Sequence, residues 1–201
     1  MRLSLASPSP ARLATLRAAG IEPVAIAPGV DEEAAVDAAG PLAAPDMVML
    51  LARLKAEAVA GQPRLDGLVL GGDSAFELDG AVYGKPHLPA VARERWLAQR
   101  GRSGILHSGH WLVDTRTGRA VGAPAAATVH FATDITEPEI DAYIATGEPL
   151  EVAGAFTIDG RGAGFIERIE GDPHAVVGLS VPLLRQLVRS LDVEWTDLWN
   201  R

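Results

Sequence analysis

The hydrophobic and polar positions along the chain predict a succession of strands and helices. Leu3-Ser4-Leu5-Ala6 is predicted to form a short strand. Apolar residues then recur at helical spacing and predict a helix over about residues 46–60. Leu68-Val69-Leu70 forms a continuous apolar run typical of a buried strand, which we expect to end in Gly71-Gly72-Asp73.

Caps and turn signals extend this pattern over the rest of the chain. Ser9 and Pro10 are the predicted N-cap and first residue of a helix that stops at Gly20, and Asp79-Gly80 predicts a hairpin turn. Further strands are expected near residues 23–27, 105–114, 120–132 and 165–169, further helices near 89–100, 136–145 and 180–191, and irregular stretches at 29–45 and 154–164. This order predicts a single α/β or α+β domain over residues 1–201, with a peripheral tail at 192–201.

Composition narrows the classes of protein that this chain can represent. With 201 residues, of which 48% are hydrophobic, the chain can bury a sizeable core. It contains no cysteine, which excludes disulfides and thiolate chemistry. The net charge of −8 argues against nucleic-acid or membrane partners, and no apolar run approaches the roughly 18 residues of a membrane span. We therefore expect a cytoplasmic protein.

The first candidate site lies where the first strand gives way to a helix. Ser7, Ser9 and Arg12 surround a helix N-terminus, whose free N–H groups and dipole favour an anion. The same residues also describe an ordinary capped helix that carries a surface arginine.

The second candidate is Asp73, which follows the most apolar strand and two glycines. Burying a carboxylate there is costly unless it is paired or metal-bound, so Asp73 could bind Mg²⁺ or act as a base on water. Two glycines would let a ligand approach the backbone closely. The alternative is a tight turn that Asp73 merely caps.

Lysine is rare in this chain, because only Lys55 and Lys85 accompany sixteen arginines. Lys85 lies in Gly84-Lys85-Pro86, a rigid loop suited to a point-charge contact with phosphate. Lys55 borders the apolar stripe of its helix, where it either reaches into a site or extends toward solvent. Asp31-Glu32 offers the hard oxygen ligands that Mg²⁺ takes.

Two other patterns are weaker. His107 and His110 are three residues apart in a predicted strand, hence on opposite faces, which is wrong for two ligands of one metal. The glycine-rich run at residues 160–164 lacks a following helical pattern and favours a turn over a dinucleotide site.

Taken in order, these segments resemble the Maf family of nucleoside triphosphate pyrophosphatases. The resemblance spans roughly residues 3–190 and is carried by nine segments: Leu5-Ala6-Ser7-Pro8-Ser9-Pro10-Ala11-Arg12, Val30-Asp31-Glu32, Leu51-Ala52-Arg53-Leu54-Lys55-Ala56, Gly71-Gly72-Asp73-Ser74, Gly84-Lys85-Pro86, Tyr143-Ile144-Ala145-Thr146-Gly147-Glu148-Pro149-Leu150, Ala153-Gly154-Ala155-Phe156-Thr157-Ile158-Asp159-Gly160, Phe165-Ile166-Glu167-Arg168-Ile169-Glu170-Gly171 and Val176-Val177-Gly178-Leu179.

The resemblance implies a mixed, elongated β-sheet flanked by helices, with two lobes around a cleft, related to inosine triphosphate pyrophosphatases. It also implies cleavage of a nucleoside triphosphate to the monophosphate and pyrophosphate with Mg²⁺ or Mn²⁺, and it is compatible with a homodimer. By match of motif, Asp73 would be the proton acceptor, and Glu32 would help Asp73 to hold the metal. The phosphates would be held by Arg12, Lys55 and Lys85, in a pocket lined by Ser7 and Ser9.

Three positions place the chain outside the two best-known substrate subgroups of that family. Ala11, Ser74 and Asp159 replace the residues that mark the subgroup for thymidine and uridine triphosphates and the subgroup for 7-methyl-guanosine triphosphate. An ionised Asp159 only accepts hydrogen bonds, so we expect a broader substrate range without strong preference for thymidine or uridine triphosphate. The alternative is that Asp159 only caps its own turn.

The sequence thus predicts a metal-dependent nucleoside triphosphate pyrophosphatase that sanitises nucleotide pools. One alternative is a non-catalytic nucleotide-binding protein acting in cell-division control, which would need the cationic pocket but no turnover. Another is a phosphomonoesterase, which would release orthophosphate instead of pyrophosphate.

Overall fold

A mixed sheet of seven strands forms the framework of this computed structural model, which describes residues 1–63 and 65–201. The strands are β1 (Leu3–Ala6), β2 (Val24–Ala25), β3 (Leu68–Leu78), β4 (Ala81–Tyr83), β5 (Ser103–Asp114), β6 (Ala120–Phe131) and β7 (Ile166–Gly171). The helices of the described residues are α1 (Pro10–Ala18), α2 (Glu32–Ala39), α3 (Ala44–Ala60), α4 (Pro89–Gln99), α5 (Glu137–Ala145), α6 (Pro173–Val177) and α7 (Val181–Ser190). Short 3₁₀ turns cover Glu148–Glu151, Ala153–Ala155, Arg161–Phe165 and Trp195–Leu198.

The strand order is β2-β1-β3-β5-β6-β7, and β4 pairs with β3 beside this path. β1 pairs in parallel with β2 and with the first part of β3, where Ala6 lies opposite Gly71. β4 pairs antiparallel with the last part of β3, and β7 pairs antiparallel with β6. The predicted α/β class, with a mixed sheet flanked by helices, is confirmed.

The residues divide into two compact units, each with its own core. Unit 1 comprises Met1–Asp73, Ser108–Ala125 and Gly178–Arg201. Its core is aliphatic, because β1, β3 and α7 each present leucines to it, among them Leu5, Leu70 and Leu184. Unit 2 comprises Ser74–His107 and Ala126–Val177.

The core of unit 2 is aromatic. Trp96 and Phe131 are fully buried, and their rings meet edge to face with centroids 5.5 Å apart. Phe76, from the last part of β3, joins Phe131 in the same geometry at 5.8 Å. Such edge-to-face pairs are favoured by the ring quadrupoles, so they fix the packing of this core more specifically than aliphatic contacts do.

Several predicted elements are confirmed with their local chemistry. The Ser9 side chain caps α1 and Pro10 stands in its first turn. Thr136 and Glu139 form a capping box at the start of α5, the helix predicted near residues 136–145. The β3–β4 turn has positive φ at Asp79 and at Gly80, as a tight hairpin of this type requires.

Three predicted elements differ in the structure. The stretch at 29–45 is not all loop, because α2 occupies Glu32–Ala39 with Asp31 as its N-cap. β3 does not end at Gly71-Gly72-Asp73 but continues to Leu78, since Ala75, Phe76 and Leu78 are buried beyond it. The tail is not wholly peripheral, because Val193 and Leu198 are buried in the core of unit 1.

Candidate active site

The buried ammonium of Lys55 lies between two carboxylates of unit 1. Its Nζ is 2.7 Å from Oδ1 of Asp73 and 2.9 Å from Oε1 of Glu32. The side chains of Lys55 and Asp73 are only 8% and 14% exposed, whereas that of Glu32 is 49% exposed. Charges held away from water in this way require partners, and here the Lys55 ammonium is the partner of both carboxylates. The structure therefore brings together three residues that the sequence analysis selected separately.

Close packing of α3 against β3 sets the position of Lys55. The stripe of α3 that faces the protein carries Ala52, Lys55 and Ala56, all buried. A Cβ atom at Gly71 would lie 2.1 Å from the carbonyl oxygen of Ala52 and 2.7 Å from the nitrogen of Ala56. Only glycine permits this approach, so the glycine before Asp73 serves contact between α3 and β3 rather than contact with a ligand.

Glu32 reaches the site from the first turn of α2. The Asp31 carboxylate accepts a hydrogen bond from the Ala34 N–H at 3.0 Å and thereby caps the helix. Asp31, predicted from the sequence as a possible metal ligand beside Glu32, has this capping role in the structure. Capping fixes the start of α2, and Glu32 is the residue that follows directly.

Arg12 is the second cation of the site and is buried. Its Nε donates to the Gly178 carbonyl at 2.8 Å, and one terminal nitrogen donates to the Ser7 hydroxyl at 3.2 Å. Burial lowers the pKa of Arg12, while the charges of Asp73 and Glu32 act in the opposite direction. An arginine stays protonated under these conditions, so the site holds two cations and two anions.

Gly72 makes room for this guanidinium. A Cβ at Gly72 would lie 3.2 Å from Nε of Arg12, closer than a side chain normally comes. The second glycine before Asp73 is therefore also explained by contact within the protein, here with a charged side chain. The sequence pattern pointed to the right place, although the expected occupant was a ligand.

Ser7 and Ser9 both serve Arg12 and the start of α1. The Ser7 hydroxyl accepts from the Ser9 N–H at 3.2 Å, and the Ser9 hydroxyl accepts from the Arg12 N–H at 3.4 Å. Ser7 is buried and Ser9 is half-buried. Their predicted contact with substrate stays a prediction, whereas their contact with Arg12 is observed.

The remaining predicted residues are distributed over both units. Ala11 is half-buried on α1 in unit 1. Ser74, Lys85 and Asp159 belong to unit 2, and within residues 1–63 and 65–201 the exposed Lys85 has no ion-pair partner. Asp159 accepts a hydrogen bond from the Thr157 hydroxyl, an arrangement typical of a local turn. Roles for these residues in binding phosphate or base stay predictions.

The Gly178 carbonyl is a site group that the sequence analysis did not select. Gly178 has a φ of 105°, which favours glycine, and it lies two residues before Ser180, the cap of α7. The available signal was the segment Val176-Val177-Gly178-Leu179, which contributes to the family resemblance but contains no reactive side chain. Backbone acceptors of this kind carry no signature of residue type.

Asp73 and Glu32 offer carboxylate oxygens of the kind that a divalent cation takes as ligands. Asp73 and Glu32 both lie within 3 Å of one ammonium, which shows that the pair accommodates a cation between them. In the described part of the chain no three His, Asp or Glu side chains group together as a metal cage. Mg²⁺ is commonly bound through one or two carboxylates together with substrate phosphates and water, which matches this donor set.

The chemistry available here is proton abstraction by a carboxylate beside two cationic side chains. A carboxylate such as Asp73 can take a proton from water, and Lys55 and Arg12 can neutralise charge on a bound anion. In a site that is largely shielded from water these charges act more strongly than at the surface.

Known proteins resemble this chain over nearly its full length. A family model described as Maf-like protein matches residues 2–191. A relative from Leifsonia xyli subsp. xyli, named nucleoside triphosphate pyrophosphatase, is 67% identical over 100% of this chain and 98% of its own length. A relative from Salinispora tropica with the same name is 55% identical over 100% of this chain and 88% of its own length.

The solved structure of the Staphylococcus aureus Ham1 protein shares the fold. It superposes with a TM-score of 0.51 at 14% identity and covers 95% of this chain and 100% of its own. This likeness supports the α/β architecture, while the family model and the close relatives define the family. The chain belongs to the Maf-like protein family.

Proposed function

We propose that this protein hydrolyses a nucleoside triphosphate to the nucleoside monophosphate and pyrophosphate. The observation that carries the proposal is the buried Lys55 ammonium between Asp73 and Glu32, with Arg12 beside them. Support also comes from the relatives in Leifsonia xyli and Salinispora tropica, which are named nucleoside triphosphate pyrophosphatases. A paired base and cation cluster of this kind suits hydrolysis of an acid anhydride.

In the proposed reaction Asp73 takes a proton from water, and the water oxygen bonds to the α-phosphorus. The bond from that phosphorus to its bridging oxygen then breaks, and pyrophosphate leaves with the bond electrons. Lys55 and Arg12 neutralise the charge that develops on the phosphate oxygens. Their fixed positions mean that little reorganisation is required as the charge moves.

Metal dependence is proposed from the charge balance of the cluster. Arg12 and Lys55 contribute two positive charges, and Asp73 and Glu32 contribute two negative charges, so the four groups together are neutral. The protein as a whole carries −8. A neutral cluster in an acidic protein draws a polyanion weakly, whereas Mg²⁺ or Mn²⁺ held by Asp73 and Glu32 would supply the missing positive charge and polarise a phosphoryl oxygen.

A nucleotide panel tests the proposed reaction. The purified protein is incubated with the common ribo- and deoxyribonucleoside triphosphates and Mg²⁺ or Mn²⁺, and pyrophosphate is detected separately from orthophosphate. We expect stoichiometric pyrophosphate and nucleoside monophosphate. Orthophosphate with the diphosphate would instead indicate a phosphatase, and saturable binding without any product would indicate a non-catalytic nucleotide-binding protein.

The cellular role proposed for this reaction is removal of unwanted nucleotides from cytoplasmic pools. In the described residues no helix has the length and apolar character needed to cross a membrane. A pool-sanitising enzyme should prefer at least one non-standard nucleotide, which extends the panel to modified bases. Comparable kcat/KM for standard and modified nucleotides would contradict the role while leaving the reaction intact.

A further inference from the structure

His110 is a buried histidine whose two ring nitrogens both meet backbone groups of unit 1. Its Nε2 accepts a hydrogen bond from the Ser180 N–H at 2.9 Å. Its Nδ1 lies 3.1 Å from the carbonyl oxygen of Ser108. The side chain is 1% exposed, so neither contact is open to exchange with solvent.

These contacts define the protonation state of the ring. An amide N–H can only donate, so Nε2 must carry a lone pair and no proton. The proton of the neutral ring is then on Nδ1, where it donates to Ser108. His110 is thereby neutral, and its Nε2 accepts a hydrogen bond from the Ser180 amide.

The segment that receives this bond also receives Arg12. Gly178, two residues before Ser180, accepts the hydrogen bond from Nε of Arg12 at 2.8 Å. Leu179 between them is buried at 1% exposure. Ser180 then caps α7, since its hydroxyl accepts from the Leu183 N–H at 3.2 Å. Three consecutive residues thus connect His110, Arg12 and the start of α7.

We propose that His110 is a positioning residue for Arg12, acting through Gly178-Leu179-Ser180. By holding the Ser180 amide, His110 fixes the direction of the Gly178 carbonyl and hence the direction of the guanidinium. This inference rests on the proposed function, in which Arg12 binds phosphate. It assigns a role to a residue that neither the metal site nor the proposed chemistry uses.

A histidine serves this position through its shape as well as its acceptor. The ring places a donor and an acceptor at opposite sides of a rigid body, so it spans Ser108 and Ser180 at once. Glutamine can place an amide oxygen near the position of Nε2, and asparagine can place an amide nitrogen near the position of Nδ1. His110→Gln therefore keeps the acceptor for Ser180, whereas His110→Asn keeps only the donor for Ser108.

The first test compares nucleotide kinetics of His110→Phe, His110→Asn and His110→Gln. We expect His110→Phe and His110→Asn to raise KM by about tenfold and to keep kcat within about threefold of the wild type. This is the pattern for loss of a binding interaction that is made equally in the ground state and the transition state. His110→Gln should recover most of this loss. Thr136→Ala, which removes the cap of α5 in unit 2, is the control for destabilisation alone and should leave KM unchanged.

The second test is a double-mutant cycle with Arg12→Met. If His110 acts through Arg12, His110→Phe should change KM less than about twofold when Arg12 is already absent. An equal effect in both backgrounds would overturn the proposal, as would a wild-type KM for folded His110→Phe. Should His110→Phe fail to fold, the glutamine and asparagine variants carry the comparison, and equal KM values for those two would also overturn it.

Two readouts separate this proposal from the proposed function. Binding of inorganic pyrophosphate with Mg²⁺, measured by calorimetry, should weaken in His110→Asn and recover in His110→Gln, whether or not any nucleotide is hydrolysed. Nitrogen NMR of the wild type should show His110 neutral with its proton on Nδ1. A His110 protonated on Nε2, or pyrophosphate affinity insensitive to both variants, would contradict the positioning role. If the binding of pyrophosphate and the NMR spectrum both agree with the positioning role but the protein releases no pyrophosphate from nucleotides, only the proposed function is contradicted.

Discussion

The surroundings of Lys55 favour lysine over arginine at this position. Sixteen of the eighteen basic residues are arginine, yet the buried cation between Asp73 and Glu32 is lysine. The Ala52 and Ala56 positions beside it lie against β3, which leaves space for a narrow aliphatic chain and a compact ammonium. A planar guanidinium is larger and requires its own set of acceptors, so the two residues are not equivalent here.

At the same scale, we predict that Asp73→Asn folds normally and loses turnover. Asparagine keeps the size of the side chain but cannot accept a proton from water, so kcat should fall by about 10²–10⁴-fold. Loss of a metal ligand would add to this decrease. The measurement is pyrophosphate release under saturating nucleotide and metal, with circular dichroism to verify the fold.

Asp37→Asn is the matched control for that substitution. Asp37 is an exposed residue of α2, and its replacement makes the same change in charge and size. It should retain wild-type kcat. Near-wild-type kcat in Asp73→Asn would remove Asp73 from the role of proton acceptor.

At the scale of elements, the sequence predicted helix caps and turns better than it predicted the lengths of strands and helices. Ser9, Thr136 and the Asp79-Gly80 turn were placed correctly because their backbone chemistry is local. β3 was predicted too short, because its glycines resemble a turn until the contact of Gly71 with α3 is known. α2 was missed because none of its residues is buried, so its apolar positions form no core-facing stripe.

The contact of α3 with β3 leads to a prediction for Gly71→Ala. The added methyl would meet the backbone of α3 at Ala52 and Ala56, so the helix must shift. We expect a loss of about 1–3 kcal/mol in the free energy of unfolding. Because Lys55 lies between those two alanines, kcat/KM should fall as well. Urea unfolding and nucleotide kinetics measure the two effects.

Gly164→Ala provides the comparison for that experiment. Apart from the local backbone and the two chain neighbours, no atom of the described residues lies within 4 Å of the Cβ position at Gly164, and its φ is not in the left-handed region. This variant should stay within about 0.5 kcal/mol of the wild type and keep its activity. A Gly71→Ala protein as stable and active as Gly164→Ala would show that α3 does not need this close approach.

The turn between β5 and β6 carries a prediction about pH. The buried Asp114 carboxylate accepts from the Arg116 N–H at 3.0 Å and from its Nε at 2.9 Å. The hydrogen bond from the Arg116 side chain lowers the pKa of Asp114 below its ordinary value of 3.8. A carboxyl group with a lowered pKa stabilises the fold above its unfolded pKa, and this stabilisation is lost as the pH falls through the folded value.

Asp114→Asn should therefore cost about 1.5–3 kcal/mol of unfolding free energy at neutral pH, the value of hydrogen bonds to a charged group. The difference from the wild type should stay constant down to about pH 5 and shrink below the ordinary pKa. Asp79→Asn, in the exposed turn of the β3–β4 hairpin, removes an ion pair with Arg102 that water screens, and should cost less than about 1 kcal/mol. A cost for Asp114→Asn that is the same at all pH values would exclude the charge as its cause.

At the scale of the whole molecule, the site combines positions that are far apart in sequence. Arg12, Glu32, Lys55 and Asp73 come from four different elements, and each was selected from its own local pattern. Their meeting could not be predicted from spacing, because it depends on the parallel pairing of β1 with β3 and on the packing of α3. The contact of Arg12 with the Gly178 carbonyl depends on residues 166 positions apart.

The charge of the whole molecule leads to a last prediction, which concerns metal removal. A protein of charge −8 whose site cluster is neutral lacks the field needed to attract a polyanion from a distance. Replacing Mg²⁺ by a chelator at constant ionic strength should therefore weaken binding of a non-hydrolysable triphosphate analogue by at least about tenfold, or 1.4 kcal/mol. Calorimetry measures the affinity without any need for turnover.

Substitutions at two neighbouring residues of α2 can show whether Glu32 is needed for the gain in affinity that Mg²⁺ gives. Glu32→Gln removes a carboxylate that contacts Lys55, whereas Glu33→Gln makes the same change one residue along α2. Glu32→Gln should reduce the gain in affinity that Mg²⁺ gives, because the coupling between metal and analogue depends on the shared site. Glu33→Gln leaves that site unchanged while altering the net charge equally, so it should preserve the full gain. Equal analogue affinity with and without Mg²⁺ in the wild type would mean that the cations of the protein bind the phosphates unaided. If Glu32→Gln and Glu33→Gln lost the same share of the gain in affinity from Mg²⁺, net charge rather than the Glu32 carboxylate would govern the response.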